Sequence, residues 1–442
     1  MSSFEGYQEV DSYWYDQVPS YWGKTKNKYV FCQNKHVVGE NWEKFTLLTM
    51  GKSGVKPRDM DGGGKFPASF ETYQTVEANQ LIFCLFDLDE TPRTIGMSKD
   101  YGMITSAYDV FSTTEGNDPQ FWTYFYQMID DHKGLRPFYT GLRKVVRSDT
   151  FMGIEVFSPP LEEQKLISRY LDKKTEQIDS LINKIQQKIE LLKEQRTSLI
   201  NQCVTKGLDP NVEMKDSGVE WIDEIPKHWR QQSIKHVLND YFGGSWGEDL
   251  VEGQTKGVVQ VVRVTEFDWN TLSVSEKIPT LRSLELKEDS KKLVRRGDLV
   301  IEKSGGGEKT PVGRVILIDR ELTRPTVNSN FTNIFRPNQE KLDPGFGVYL
   351  FYTSYVGGMT IRNVKQTTGI QNLDIEGFLS EKIFLPPKEE QEQIQIFLDN
   401  SIKKILHLVR KHTDQLKLLT EYRQSLISSV VTGKVCVTED MI

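Results

Sequence analysis

Several signatures are missing from this 442-residue chain, and each absence excludes something. There is no Cys-x-x-Cys, and the four cysteines, Cys32, Cys84, Cys203 and Cys436, are scattered; reduced thiols in a cytoplasmic protein are the expectation, rather than a disulfide framework or a zinc site. The six histidines form no His-x-x-x-His pair and none joins a cysteine at metal spacing. No apolar run approaches the roughly 18–20 residues of a membrane helix, and the start, MSSFEGYQEVDSYWY, lacks the basic and apolar segments of a secretory signal. A base-amino methyltransferase needs an Asn/Asp-Pro-Pro-aromatic motif, yet both Pro-Pro pairs follow Ser158 or Leu385. A metal-dependent nuclease of the Pro-Asp type needs that dipeptide, which occurs nowhere. In the Gly-rich stretch Ser304–Thr310 the residue before Lys309 is Glu308, whose charge would repel a phosphate. No catalytic constellation emerges.

Excess basic charge is missing too. The net charge is −6, and segments do no better: residues 1–158 hold 16 Lys and Arg against 21 Asp and Glu, and residues 209–384 hold 23 against 26. Affinity for nucleic acid would have to come from local clusters or from partners.

What the chain does contain is a repeat. Residues 159–205 and 386–432 align without a gap at an offset of 227, sharing Pro-Pro, Glu-Glu-Gln, Ile167/Ile394, Leu171-Asp172/Leu398-Asp399, Ile178/Ile405, Glu194/Glu421, Arg196/Arg423 and Ser-Leu-Ile at 198–200/425–427. Each copy carries a heptad stripe: Leu171, Thr175, Ile178, Ile182, Ile185, Ile189, Leu192, Arg196, Leu199, Cys203, and Leu398, Ile402, Ile405, Val409, His412, Leu416, Leu419, Arg423, Leu426, Val430. That is a coiled-coil seam, which the two copies can bury on each other as a spacer rod. Arg196 and Arg423 interrupt it at matching positions; they set register there or reach a partner. Gly207 and Gly433 end the helices, and the tail from Lys434 is expected to fray.

A shorter repeat precedes each long one. Trp14-Tyr-Asp-Gln-Val-Pro-Ser-Tyr-Trp22 matches Trp221-Ile-Asp-Glu-Ile-Pro-Lys-His-Trp229 at an offset of 207. Between motif and helix lies a mixed α and β domain in each half, with buried strands expected at 81–86, 258–262, 298–301 and 312–318. Weaker parallels join the halves: Ser106–Phe111 with Ser329–Phe335, Asp118-Pro119 with Asp343-Pro344, and Thr140-Gly-Leu-Arg143 with Thr368-Gly-Ile-Gln371.

Two classes of candidate site follow. Pro-Pro-x-Glu-Glu-Gln suits a helix start, with proline in the first turn and acids at the positive end of the dipole. The shared letters leave Glu163, Gln164, Glu390 and Gln391 as candidates for docking a partner. Basic and amide side chains on loops can meet phosphates and base edges; the candidates are Lys52, Lys56, Arg58, Arg143, Lys144, Arg147, Lys309, Arg314, Arg362, Lys365, Gln371 and Asn372. Further clusters are Lys24, Lys26 and Lys28, then Lys291, Lys292, Arg295 and Arg296.

The pattern Pro-Pro-x-x-Glu-Gln-x-x-Ile-x-x-x-Leu-Asp, at Pro159–Asp172 and Pro386–Asp399, resembles the conserved regions of the specificity subunit of Type I restriction-modification systems, and Asp216–Trp229 is similar to the opening of that family's target recognition domains. Two departures are Ser158, where leucine is usual, and the N-terminal copy, which lacks the Gly-Val-Glu of residues 218–220. The resemblance covers essentially the whole chain. It implies an α+β fold of two mixed α/β target recognition domains, separated by two long helices in an antiparallel coiled coil, duplicated about a pseudo-twofold axis. The boundaries are target recognition domains at 1–157 and 208–384, spacer helices at 158–207 and 385–435, and a tail at 436–442. It also implies a non-catalytic subunit whose domains each read half of a bipartite sequence in double-stranded DNA, with two methyltransferase subunits on the helices and restriction/translocase subunits joining. S-adenosylmethionine, ATP and magnesium then belong to those partners, and none to this chain. A coiled-coil adaptor without sequence specificity is the alternative.

Overall fold

The computed structural model describes the chain apart from residues 1–5, 52–53, 60–66, 68, 220–221, 286–289, 308–309 and 368, and apart from the side chains of 366 and 367. It divides into two compact units: residues 1–186 with 414–442, and residues 187–413.

The first unit is built on an antiparallel sheet of β1 (Phe31–Asn34), β2 (Leu81–Phe83), β3 (Ile95–Met97) and β4 (Asp109–Thr113), in the order β1-β4-β2-β3. Side chains alternate across it as strand geometry requires. Phe31, Leu81, Phe83 and Phe111 enter one core, while Ile82 and Val110 enter a second with Leu48, Val76 and Ile104. Helix α1 (Pro119–Asp131) covers the first face with Phe121, Trp122, Phe125 and Tyr126. It starts where the sequence allows: the Asp118 carboxylate accepts the Phe121 N–H at 2.8 Å and Pro119 takes the first turn. Helix α2 (Leu161–Lys206) then runs for 46 residues, ~69 Å at 1.5 Å per residue.

The second unit repeats the plan. Strands β5 (Leu238–Gly243), β6 (Leu299–Glu302), β7 (Val315–Leu317) and β8 (Thr332–Pro337) lie in the order β5-β8-β6-β7 within a six-stranded sheet. Helix α3 (Pro344–Val356) is capped by Asp343, which accepts the Phe346 N–H at 2.9 Å. Helix α4 (Lys388–Val431) is the second long helix. The weak sequence parallel becomes a shared register: Leu81, Ile82 and Phe83 pair with Phe111, Val110 and Asp109, and Leu299, Val300 and Ile301 pair with Phe335, Ile334 and Asn333.

The contacts do not set the long helices apart as bodies of their own. Each is divided between the units, because each half buries its apolar side in a head. Ile167, Tyr170 and Leu171 join Ile427, Val430 and Val431 in the first core; Ile200, Cys203 and Val204 join Ile394, Leu398 and Ile402 in the second. In both, the start of one helix meets the end of the other, so the halves run antiparallel. Of the twenty stripe positions, none is exposed.

The two seam arginines resolve differently. Arg423 makes a bidentate pair with Asp179, at 2.9 and 3.2 Å, inside the first unit. Leu406 stands at the position equivalent to Asp179 in the second unit, so Arg196 has no carboxylate to meet. It turns to the head instead, lying over the Tyr352 ring at 5.1 Å and donating to the Trp269 carbonyl at 3.2 Å.

The tail corrects an expectation. Rather than fraying, it folds back: Gly433 takes φ of +71°, Val437 is 7% exposed in the first core, and Val435, Met441 and Ile442 pack beside it. Arg169 pairs with Glu439 at 2.8 Å, and Lys173 donates to the Ile442 carbonyl. Four aliphatic or thioether side chains in nine residues were enough to hold it.

Candidate nucleic-acid interface

The joint between each head and its long helix is where the two repeated motifs meet. In the first unit the Trp22 indole N–H donates to Glu163 at 3.3 Å and the Tyr21 hydroxyl donates to it at 2.9 Å. In the second, Trp229 donates to Glu390 at 3.2 Å and the His228 ring lies 2.8 Å from its other oxygen. Burial pushes the Glu163 carboxyl above its ordinary value, against the lowering effect of both donors.

The adjoining glutamine ties in α1 or α3. Gln164 accepts the Asp118 N–H at 2.9 Å, and its amide donates to Ser158 Oγ and the Pro159 carbonyl at 3.0 and 2.9 Å. Gln391 accepts the Asp343 N–H at 2.9 Å and donates to the carbonyls of Lys341 and Pro386 at 2.9 and 3.1 Å. About two turns on, Asp172 and Asp399 accept the hydroxyls of Tyr124 and Tyr349 at 2.7 and 2.6 Å. Gln164 and Gln391 are each 1% exposed. Their expected docking role is therefore corrected: no partner can reach them, and every polar atom of their amides is used inside the chain. The repetition of the letters has a structural cause, since each joint needs the same donors and acceptors.

The joints hold two dissimilar tips. In the first head the turn Thr140–Val145 carries Arg143 and Lys144 against the end of β2. The Arg143 guanidinium lies over Phe86 at 5.5 Å and pairs with Asp87 at 2.6 Å; Phe86 in turn stacks on Tyr108, 6.1 Å between centroids. Lys144 pairs with Asp89 and Glu90 at 2.8 and 3.3 Å. Arg143 holds the Asp87 carboxyl below its usual range, and Lys144 does the same to Asp89. These pairs are partly exposed, the Arg143 side chain most of all, so a phosphate can exchange for the carboxylate at small cost. Arg147 is exposed at the cap of a short helix, Lys56 is exposed on the hairpin Leu48–Pro57, and Arg58 follows it. Lys52 lies outside the described residues. Lys24 and Lys26 are instead paired with Glu155, at 2.8 and 3.8 Å.

In the second head a three-stranded sheet of 304–305, 364–367 and 370–373 brings several candidates together. Lys365 stands opposite Asn372 in register and pairs with Asp374 at 2.6 Å. Asn372 accepts from Ser304 at 2.6 Å. Two candidates are corrected. Arg314 makes a bidentate pair with Glu302 at 2.8 and 3.1 Å, the carboxylate being 3% exposed, so this arginine is committed to neutralising a buried charge. Gln371 points inward and accepts the Val312 N–H at 3.3 Å. Arg362 lies on the exposed turn before the sheet; Lys309 is outside the described residues.

Sequence reasoning passed over three exposed side chains at these tips. Leu142 is fully exposed on the first turn, Ile370 is 52% exposed on the second, and Phe331 is exposed beside the Gly-rich loop, its carbonyl accepting the N–H groups of Lys303 and Ser304. The signal was present: an aliphatic residue sits between Gly and Arg or Gln in both copies of one motif. Among the described residues no cluster of three or more His, Cys, Asp or Glu could hold a metal, and no helix is long and apolar enough to cross a membrane.

Comparison with known proteins bears on what these tips are for. A family model described as the Type I restriction modification DNA specificity domain matches residues 250–418. The MjaVIII Type I restriction enzyme specificity subunit of Methanocaldococcus jannaschii is 25% identical over 64% of this chain and 63% of its own length; the chain thus spans about three fifths of the curated relatives it matches. A chain from a solved type I R-M system aligns over 95% of this chain and 99% of that one, with a TM-score of 0.67 at 13% identity. The HsdS subunit from Thermoanaerobacter tengcongensis aligns over 95% and 98%, with a TM-score of 0.50 at 15% identity. The resemblance to Type I specificity subunits holds, and so does the fold it implied, two mixed α/β heads with two long helices.

Proposed function

We propose that this chain is the DNA-reading subunit of a Type I restriction-modification complex, each head recognising one half of a bipartite site. The observation that carries the reading is the twice-built joint. Trp–Glu, Gln–Asp and Tyr–Asp contacts recur at the same places in both units, while the tips they hold are built differently: a turn bearing Arg143 and Lys144 in the first, a three-stranded sheet bearing Lys365 and Asn372 in the second. A conserved mount with two different ends suits two different half-sites. The tips supply what base reading uses: exchangeable cations for phosphates, and Arg143, Asn372, Leu142 and Ile370 for base edges and thymine methyl groups.

In this reading the long helices set the unread spacer and seat two methyltransferase subunits, to which restriction/translocase subunits are added. The partners hold S-adenosylmethionine, ATP and magnesium, flip the target base and carry out the chemistry; this chain is non-catalytic and works in the cytoplasm. The acidic balance is tolerated because the methyltransferases contribute phosphate contacts.

The test is an exchange of heads. Replacing residues 1–150 by the first head of another specificity subunit, followed by mapping of methylated sites, should change one half-site and leave the other half and the spacer untouched. Changes in both halves, or no sequence preference in the parent complex, would refute the reading and favour an adaptor.

A further inference from the structure

The strand ends that build the two tips are equivalent, and their side chains are exchanged in pairs. In the first head the Val146 N–H donates to the Leu85 carbonyl and the Asp87 N–H to the Arg143 carbonyl, both at 2.9 Å. In the second the Leu373 N–H donates to the Lys303 carbonyl at 2.8 Å, and Gly305 stands opposite Gln371 in register. Leu85–Asp87 therefore corresponds to Lys303–Gly305, and Arg143 and Lys144 to Gln371 and Asn372, in agreement with the shared Thr-Gly-aliphatic motif. Where the turn bears two cations, the segment opposite runs Asp87-Leu-Asp-Glu90; where the strand bears two amides, it runs Gly305-Gly-Gly307. Cations go with acids, and amides go with glycines.

The acidic segment is fixed against the cations. Leu85 and Leu88 are buried in the first core and anchor the stretch that carries the carboxylates. Asp87 accepts from Arg143 through both oxygens, at 3.3 and 2.6 Å. Asp89 meets Lys144 at 2.8 Å, Arg136 at 3.3 Å and the Tyr139 hydroxyl at 3.3 Å, and Glu90 meets Lys144 at 3.3 Å. The backbone bends where the pairs form: Asp87 and Lys144 take φ of +47° and +48°, in the left-handed region that most side chains avoid. Gly305, at the position of Asp87, has positive φ as well. In the second tip the cation Lys365 also meets an acid, Asp374.

We propose that Asp87 and Asp89 set the sequence discrimination of the first head by competing with DNA phosphates for Arg143 and Lys144. The proposal rests on the DNA-reading function given above and adds how that tip rejects a wrong sequence. On unmatched DNA a cation that leaves its carboxylate for a phosphate exchanges one exposed ion pair for another, and the bare carboxylate then faces the DNA backbone. Nothing is gained, so the tip lets go. On a matched half-site Arg143 also finds the two acceptors of a guanine edge, and a guanidinium already aligned to two carboxylate oxygens is aligned for that bidentate contact. Asp87 and Asp89 are positioning residues, touching the cations and not the bases. Neutral amides attract phosphates weakly, so glycines suffice opposite Gln371 and Asn372. The same logic suits a chain of net charge −6 that must pass over a large excess of wrong sites.

The experiment compares the full chain with Asp87→Asn combined with Asp89→Asn, each assembled with its methyltransferase subunit. Binding is measured on a duplex bearing the site found by methylation mapping and on one of scrambled sequence, between about 50 and 200 mM salt. Asparagine tolerates positive φ as aspartate does, so the fold is kept. On scrambled DNA the variant should bind several-fold to about tenfold more tightly per freed cation near about 0.1 M salt, with a salt slope steeper by about 0.9 for each. On the mapped site the slope should stay that of the parent, because both cations are already engaged there. Methylation should spread to sites altered in the first half only, and Asp89→Glu, which keeps the charge, should leave the discrimination intact. An unchanged ratio between the two duplexes, whatever the melting temperature, would reduce the acids to surface ion pairs, and equal steepening on both would reduce them to net charge; either result overturns the proposal. Should the double variant not fold, Glu90→Gln, at a side chain 67% exposed, puts the same question to Lys144 alone, with a smaller rise on scrambled DNA expected and no rise overturning the proposal. A parent chain with no preference for the mapped duplex would instead refute the function on which the proposal rests.

Discussion

Replacing Gln391 by methionine keeps the length of the side chain and removes all its hydrogen bonds. The Asp343 N–H, at the start of α3, loses its only acceptor, and the Lys341 and Pro386 carbonyls lose a donor. The site is closed to water, so the unsatisfied N–H alone costs ~1–3 kcal/mol, and with the carbonyls the loss is about 2–4 kcal/mol. In a unit of this size each kcal/mol moves the midpoint by ~2–4 °C, so the unfolding of residues 187–413 should shift down by roughly 4–16 °C. Scanning calorimetry of the full chain reads this directly, and Gln164→Met should act in the same way on the other unit. Partner binding, measured well below the transition, should not change. A variant of unchanged stability that no longer binds its partner would refute the structural role and return the glutamine to the docking surface.

The Arg423–Asp179 pair is half-exposed, so Arg423→Gln should cost no more than about 1 kcal/mol, an effect that shrinks in high salt; a loss of several kcal/mol on denaturant titration would mean that the arginine is holding more than a carboxylate. Glu163 tests the joint through pH. Its carboxyl titrates above its ordinary value in the folded unit, so its ionisation works against folding; that penalty is full above the raised folded value, falls as pH drops through it, and is gone below the unfolded value. Glu163→Gln should therefore stabilise the first unit at neutral pH relative to mildly acidic pH. A mutant whose pH dependence matches the parent's would show that the charge is not felt there.

The scaffold was legible because helix periodicity is local. Stepping through the repeat by threes and fours placed all twenty stripe residues off the exposed surface, and the 227-residue offset showed that the plan occurs twice. The strands at 81–83 and 299–302 were legible for the same reason, as short apolar runs. What the sequence hid was pairing across long separations. Trp22 and Glu163 are 141 residues apart, so nothing local links the aromatic motif to Glu-Glu-Gln. Arg314 looked available as one of several basic side chains, when Glu302 had already claimed it from the neighbouring strand. Surface charge was readable as composition but not as partnership: Arg143, Lys144 and Lys365 all sit against carboxylates.

The division of the long helices between the units has a consequence for biosynthesis. The second unit is one unbroken segment, residues 187–413, whereas the first is assembled from residues 1–186 and the final 29. A ribosome adding ~5–20 residues per second leaves roughly ten to fifty seconds between the two pieces of the first unit. During that interval Ile167, Tyr170 and Leu171 wait for Ile427, Val430 and Val431, so the half that is made first is completed last, and the final turns of α4 with the folded-back tail act as its closing strand of synthesis.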